Sequence, residues 1–225
     1  MDRVAATLEP LLRPRRIARM KSVLGTRSDH VAFVFEQMVD PHNLSAALRS
    51  LDAFSFQDAY LVDPRARLGF SRRITQGTER WLTLHEPDSL ETCIDDLRSR
   101  GYRVLASHLQ QGGAVSITDL DFRQRVALVF GNEHEGVSDK ALALADGCFR
   151  IDMLGFVESL NLSVAVALCA HHARRELNRL SLESADPGCY LMTESRRQEI
   201  YESWLKRSVR RSEEILAESA ERGPS

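Results

Sequence analysis

Short apolar runs alternate with amphipathic stretches along most of this chain, and that alternation restricts the fold more than any other feature. "VAFVFEQM" (Val31 to Met38), "DAYLV" (Asp58 to Val62), "WLTLHE" (Trp81 to Glu86), "YRVLASHL", "RVALVFGN" and "CFRIDM" each read as a buried strand. Helical spacing appears between them. Leu44, Ala47, Leu48 and Leu51 repeat behind "DPHN", with Asn43 as the expected N-cap. "SLETCIDDLRSRG" ends at Gly101, a residue favoured just past a helix, and "SDKALALADG" opens on Ser138. "MLGFVESLNLSVAVALCAHH" (Met153 to His172) passes from a glycine loop into a long apolar helix. The pattern predicts an α/β fold, a mostly parallel sheet with helices on both faces. In such sheets ligands collect at the carboxyl ends of the strands.

At 225 residues the chain suits one large domain with short appendages. We expect a basic helical arm over 1–29, a central domain over 30–178 and a helical extension over 179–225 that packs on it. Within the extension, one amphipathic helix is expected from Glu194 to about Glu218. No apolar run is long enough to span a membrane, and the basic N-terminus lacks an apolar signal core. The four cysteines, Cys93, Cys148, Cys169 and Cys189, form no C-x-x-C pair, so reduced thiols and a cytoplasmic protein are expected. "CAHH" (Cys169 to His172) lies inside a helical pattern without a partner cluster, so no metal is expected.

Net charge is only -2, but the positive charge is grouped. Arg3, Arg13, Arg15, Arg16, Arg19, Lys21 and Arg27 crowd the first thirty residues. Arg65, Arg67, Arg72, Arg73 and Arg80 form a second group. Arg196, Arg197, Lys206, Arg207, Arg210 and Arg211 form a third. Three separated clusters on a nearly neutral chain point to an anionic partner held over a wide surface; solvated surface arginine is the plainer account of any one of them.

Three loops at the expected strand ends are unusually polar. In "NLSAALR", Asn43 would orient a polar site while Arg49 offers a guanidinium fork to phosphate or ribose. In "FGNEHEGVS" (Phe130 to Ser138), glycines including Gly131 let the backbone approach a ligand, and Glu133 sits where folding needs no acid. Neither a G-x-G-x-x-G fingerprint nor a Walker lysine is present, which sets aside the common nucleotide folds. In "LGFVESLN", Ser159 and Asn161 lie near a helix N-terminus, where free N–H groups favour an anion. Ile151, Met153 and Leu160 would line an apolar slot for a flat heterocycle. Leu160, Leu162, Val164, Ala165 and Leu168 would be buried in the core or a subunit seam.

In this order, "NLSAALR", "FGNEHEGVSDKALALAD" and "IDMLGFVESLNLSVA" resemble the three motifs of the TrmH-like branch of the SPOUT RNA 2′-O-methyltransferases. The resemblance extends over nearly the whole chain. It implies a C-terminal trefoil knot, rare among folds, a homodimer, and S-adenosyl-L-methionine as cofactor. The implied activity is methylation of a ribose 2′-hydroxyl in tRNA, at guanosine 18 of the D-loop. The same chemistry on ribosomal RNA or on the tRNA wobble ribose, or a catalytically silent RNA-binding relative, stand as alternatives. By the resemblance, Arg49, Asn43, Glu133, Ser159 and Asn161 are the catalytic set. Ser107, Gly131, Ile151, Met153 and Leu160 hold the cofactor, and Arg15, Arg16, Arg19, His42, Arg174 and Arg175 hold RNA. A guanidinium is a poor base at its ordinary pKa, above about 12. Either the site lowers that value, or a nearby phosphate takes part and Arg49 orients the hydroxyl. The chain departs from the family pattern at Asp152, Phe156 and Glu158, where proline, methionine and glutamine are usual.

Overall fold

A computed structural model describes residues 3–62, 77, 80–108, 113–132 and 134–221. Arg65, Arg67, Arg72 and Arg73 of the second basic cluster lie outside the described residues. The chain divides into two compact units: residues 28–190, and residues 1–27 together with 191–225.

The larger unit is built on a sheet of seven parallel strands among the described residues: β1 (Val31–Glu36), β2 (Asp58–Val62), β3 (Thr83–His85), β4 (Tyr102–Ser107), β5 (Val115–Ser116), β6 (Arg125–Phe130) and β7 (Gly147–Arg150). Their spatial order is β3-β2-β1-β6-β4-β7-β5, and every pairing is parallel. The alternation expected of an α/β chain is present. β5 is not legible in the sequence, because two residues carry no period. The helices are α3 (Pro41–Ala53), α4 (Leu90–Ser99), α5 (Asp139–Leu144) and α6 (Leu162–Glu183).

Strand side chains alternate between two cores, as a sheet covered on both faces requires. Val31, Phe33 and Phe35 of β1 and Val126, Leu128 and Phe130 of β6 pack with Leu44, Leu48 and Leu51 of α3 and Val166, Ala170 and Ala173 of α6. Ala32, Val34, Ala127 and Val129 face the other way, toward Leu90, Ile94 and Leu97 of α4 and Ala141 of α5. Phe33 and Phe130 stack at 6.3 Å on the first face.

The helix starts show where local chemistry differs from expectation. Asp40, not Asn43, caps α3: its Oδ1 accepts from the His42 amide at 2.8 Å, and Pro41 fills the first position, where its fixed φ and missing N–H cost nothing. Asn43 is thereby released from capping and lies in the first turn. Ser138 does cap α5, accepting from the Ala141 amide at 3.0 Å. α6 continues through Glu183, past residue 178.

The smaller unit joins the two ends of the chain. Pro10 and Pro14 break the expected single arm into α1 (Arg3–Leu8), a 3-10 turn and α2 (Pro14–Leu24). The C-terminal helix is likewise two, α7 (Glu194–Ser208) and α8 (Ser212–Glu221), with Arg211 left-handed between them. Helices this short cannot stand alone. Leu8, Met20 and Leu24 are buried, as are Ile200, Trp204 and Leu205 of α7. α1 and α2 both contact α7. The Arg27 guanidinium is fully buried over the Trp204 ring, 5.6 Å from its centre. Glu9 accepts from the Tyr201 hydroxyl at 2.8 Å and pairs with Lys21 at 2.9 Å.

Candidate active site

A cavity of about 480 Å³ opens at the carboxyl ends of β4, β6 and β7. That volume lies within the range of small-ligand sites. Five residues expected to hold a cofactor, Ser107, Gly131, Ile151, Met153 and Leu160, line it together with Ser159. Ser107 ends β4, and the amide of the next residue, His108, donates to the Phe149 carbonyl at 2.9 Å, fixing the strand ends beneath the cavity.

The glycine loop after β6 forms one wall. Asn132, 7% exposed, organises it: its Oδ1 accepts from the amides of His134 at 2.9 Å and Glu135 at 2.8 Å, and its carbonyl accepts from Gly136 N at 3.0 Å. The loop closes so tightly that a Cβ on Gly131 would overlap the Gly136 carbonyl, and Gly136 itself is left-handed at φ 71°. Glu133 of this loop lies outside the described residues.

The second wall is the segment from Ile151 to Leu160 and the start of α6. Asp152 accepts from the Ser116 hydroxyl and from Arg150 Nε at 2.8 Å, tying this segment to β5; Arg150 also donates to the Ala114 carbonyl. The Ser116 hydroxyl, and then the Arg150 guanidinium, hold the Asp152 carboxyl below its usual range. Where the family pattern has a rigid proline, this chain has a carboxylate pinned from two sides. Glu158 lines the cavity, whereas Phe156 is fully exposed.

Asn161 caps α6: its Oδ1 accepts from the Ser163 amide at 2.9 Å and from the Ser163 hydroxyl at 2.6 Å. Its Nδ2 is left over and donates to Asn43 Oδ1 at 3.0 Å. Two residues 118 positions apart therefore meet where α3 packs on α6. Arg49 stands exposed on α3 and is not among the residues lining the cavity.

The residues expected to hold RNA are dispersed. Arg15, Arg16 and Arg19 are exposed on α2, in the smaller unit. His42 and Arg175 are exposed in the larger one. Arg174 is committed within the fold. Its Nε donates to the Phe54 carbonyl at 2.8 Å and its Nη2 to the Ser55 carbonyl at 2.6 Å, with the guanidinium 4.8 Å from the Phe56 ring centre. It satisfies the carbonyl end of α3, a task helix termini require. Of α6, Leu162 is buried and Ala165 partly so, but Val164 and Leu168 are exposed, not part of this chain's own core. No group of His, Cys, Asp and Glu suited to a metal occurs among the described residues. No helix among them is long and apolar enough to cross a membrane.

Sequence reasoning missed Asn132, Ser116 and Glu36, the last a buried acid that ends the otherwise apolar β1. Its signal in the sequence is a lone carboxylate closing a hydrophobic run.

Comparison with known proteins agrees with this architecture. The model of the SpoU rRNA Methylase family matches residues 30–171. The tRNA (guanosine(18)-2′-O)-methyltransferase of Thermus thermophilus is 34% identical over 195 residues, covering 85% of this chain and 96% of the relative. The crystal structure of the A. aeolicus TrmH/SpoU tRNA modifying enzyme superposes with a TM-score of 0.76 at 25% identity, covering 88% of this chain and 98% of that one. An AdoMet-bound rRNA methyltransferase from Sinorhizobium meliloti follows at a TM-score of 0.58 and 28% identity, over 68% of this chain and 58% of that one. The family match covers more than half of the chain and falls on the unit that carries the cavity, and by it this chain belongs to the SpoU methylase family.

Proposed function

We propose that the protein transfers a methyl group from S-adenosyl-L-methionine to a ribose 2′-hydroxyl of tRNA, at guanosine 18 of the D-loop. The observation that carries this reading is the cavity at the strand ends with the Asn43–Asn161 hydrogen bond beside it. This chain covers almost the whole length of a relative that bears that activity by name, which favours tRNA over ribosomal RNA.

The lining fits the cofactor. Ile151, Met153 and Leu160 offer apolar surface to an adenine, Gly131 permits close approach of the backbone, and Glu135 and Glu158 bring acidic groups suited to a cationic ligand. When bound, the cofactor supplies a methyl group already activated on a sulfonium. The protein's share of the reaction is placement. Arg49, open to solvent on α3, holds the ribose–phosphate through its planar fork and orients the 2′-oxygen. The hydroxyl proton leaves, to Arg49 or to a nearby RNA phosphate, as the methyl group arrives. Asn43 and Asn161 fix each other's amides at the same end of the sheet, Ser159 adds a hydroxyl at the cavity, and Glu133 is assigned to the same polar set by its motif alone. Selection of a 2′-hydroxyl makes RNA, not DNA, the substrate. Arg15, Arg16, Arg19, His42 and Arg175 supply positive charge to the RNA backbone.

Three further features belong to this reading. A trefoil knot is supported by the strand order, in which β7 is inserted between β4 and β5, although both precede it in the chain. A homodimer is supported by the apolar side chains left in solvent: Leu154, Phe156 and Val157 before α6, and Val164 and Leu168 one turn apart on it. The four cysteines are all free thiols, in keeping with work in the cytoplasm.

The test is methyl transfer from labelled S-adenosylmethionine to unmodified tRNA transcripts, with guanosine 18 intact or as its 2′-deoxy form. Label on the first and none on the second is the expected result. Equal label on both would overturn the assignment of the atom.

A further inference from the structure

We propose that Glu36 is a positioning residue for cofactor binding, the buried anchor that sets the glycine loop. Glu36 is 4% exposed at the end of β1, whose other residues are Val, Ala, Phe, Val and Phe. Both carboxylate oxygens are spent on one residue. Oε1 accepts from the Ser138 hydroxyl at 2.6 Å, and Oε2 accepts from the Ser138 amide at 3.1 Å. Those are the hydrogen bonds found for it among the described residues, and neither comes from a cation.

A buried carboxylate without a cation is expensive, and an apolar residue would suit the strand better. Folding of α5 does not require it either, since Ser138 Oγ already caps that helix by accepting from the Ala141 amide. What the carboxylate adds is a fixed position for Ser138 relative to β1. The loop from Gly131 to Val137 hangs between two points, the end of β6 and Ser138. β1 and β6 are adjacent and in register, Phe35 opposite Phe130, so one point is set by the sheet and Glu36 sets the other from the neighbouring strand. With both ends held and Asn132 accepting from the His134 and Glu135 amides, Gly131, Asn132 and Glu135 are set against the cavity. Immediately after Glu36 the chain turns sharply: Gln37 is left-handed at φ 52°, a conformation costly for a residue with a side chain. Glu36 does not itself line the cavity, so it acts through Ser138.

This inference rests on the reading of the cavity as the S-adenosylmethionine site. The experiment therefore compares wild type, Glu36→Gln, Glu36→Asp, Ser138→Ala and the Glu36→Gln/Ser138→Ala double variant. Two readouts are taken: calorimetric Kd for S-adenosylmethionine, and amide hydrogen exchange over 131–138 in the free protein. Glutamine opposes one Ser138 donor with a donor of its own, and aspartate shortens the reach. Each single variant is expected to weaken binding about tenfold, the loss of a hydrogen bond to a charged group, and to speed exchange in the loop. The double variant is expected to lose less than the product of the two single effects, because Glu36 and Ser138 share the hydroxyl hydrogen bond while the Ser138 amide bond depends on Glu36 alone. Wild-type binding with unchanged Kd in Glu36→Gln and Glu36→Asp overturns the proposal alone. Effects that multiply in the double variant, or unchanged loop exchange, overturn it as well. Absence of binding by the wild type overturns the cavity reading, and the role of Glu36 in cofactor binding falls with it.

Discussion

Asn161 Nδ2 donates to Asn43 Oδ1 at 3.0 Å while Asn161 Oδ1 accepts from the Ser163 amide at 2.9 Å. One side chain thus caps α6 with its oxygen and reaches α3 with its nitrogen. The two tasks separate by substitution. Asn161→Asp keeps the cap and removes the donor, so unfolding free energy should stay within about 0.5 kcal/mol of wild type while methyl transfer is lost. Asn161→Ala loses both. It should cost about 1 kcal/mol, a melting point about 2–4 °C lower, with the same loss of turnover. Thermal melts beside a methyl-transfer assay check both.

Arg49 is exposed on α3. Arg49→Ala should leave the melting temperature unchanged and lower kcat on the order of a hundredfold or more, the scale of removing a group aimed at the transition state. Wild-type turnover in that variant would remove Arg49 from the mechanism.

Gly131→Ala places a methyl group against the Gly136 carbonyl and the Val137 amide. Both are backbone, so the loop must shift. The expected cost is about 1–3 kcal/mol of stability, with S-adenosylmethionine affinity falling in the same variant. Calorimetry and a denaturation curve test the two effects together.

His30 donates from Nε2 to the Phe122 carbonyl at 2.9 Å and packs edge-on to Tyr190. Burial is the largest influence on it and lowers its pKa from the ordinary 6.5, with Arg125 adding to the fall and the Phe122 carbonyl and Asp29 opposing it. Burial lowers His172 likewise. Above that value both the folded and unfolded chains carry neutral imidazoles. As pH falls through it, the unfolded chain takes protons first, so stability drops on acidification. Urea midpoints should fall between about pH 7.5 and pH 5.5, and His30→Gln should flatten the fall. The lowered carboxyls of Glu9, Asp121 and Asp152 act in the same direction, but only below about pH 4.5, outside this window.

Arg15, Arg16 and Arg19 lie exposed along α2. Replacing all three by alanine should reduce the slope of log affinity for tRNA against log salt by about two to three, since each phosphate neutralised contributes just under one. An unchanged slope in a filter-binding or anisotropy titration would take α2 out of the RNA surface.

The sheet is readable from the sequence because its signal is local. "VAFVF" and "RVALVF" carry their own period, and each supplies both cores by alternation. Proline placement carries more than periodicity admits: Pro10 and Pro14 divide the arm, and Pro41 hands the α3 cap to Asp40. The cavity-lining residues can be named because they sit at strand ends, in loops whose composition folding alone does not demand. Relationships between distant residues are not legible in this way. Nothing near Glu36 announces Ser138, and nothing near Arg174 announces the carbonyls of Phe54 and Ser55. The exposure of Val164 and Leu168 is of the same kind, since an apolar helix looks alike whether its own chain or another covers it.

The smaller unit has a temporal consequence. α1 and α2 leave the ribosome before the larger unit, yet their partner α7 begins at Glu194, so at usual elongation rates they wait on the order of ten seconds with Leu8, Met20 and Leu24 uncovered. Every strand and helix of the larger unit is translated during that interval. The methyltransferase unit can therefore be assembled while the arginine-bearing arm is still waiting, and a message cut short before α7 would yield a nascent chain with an intact sheet and a sticky, unpartnered arm, a ready handle for chaperones and proteases.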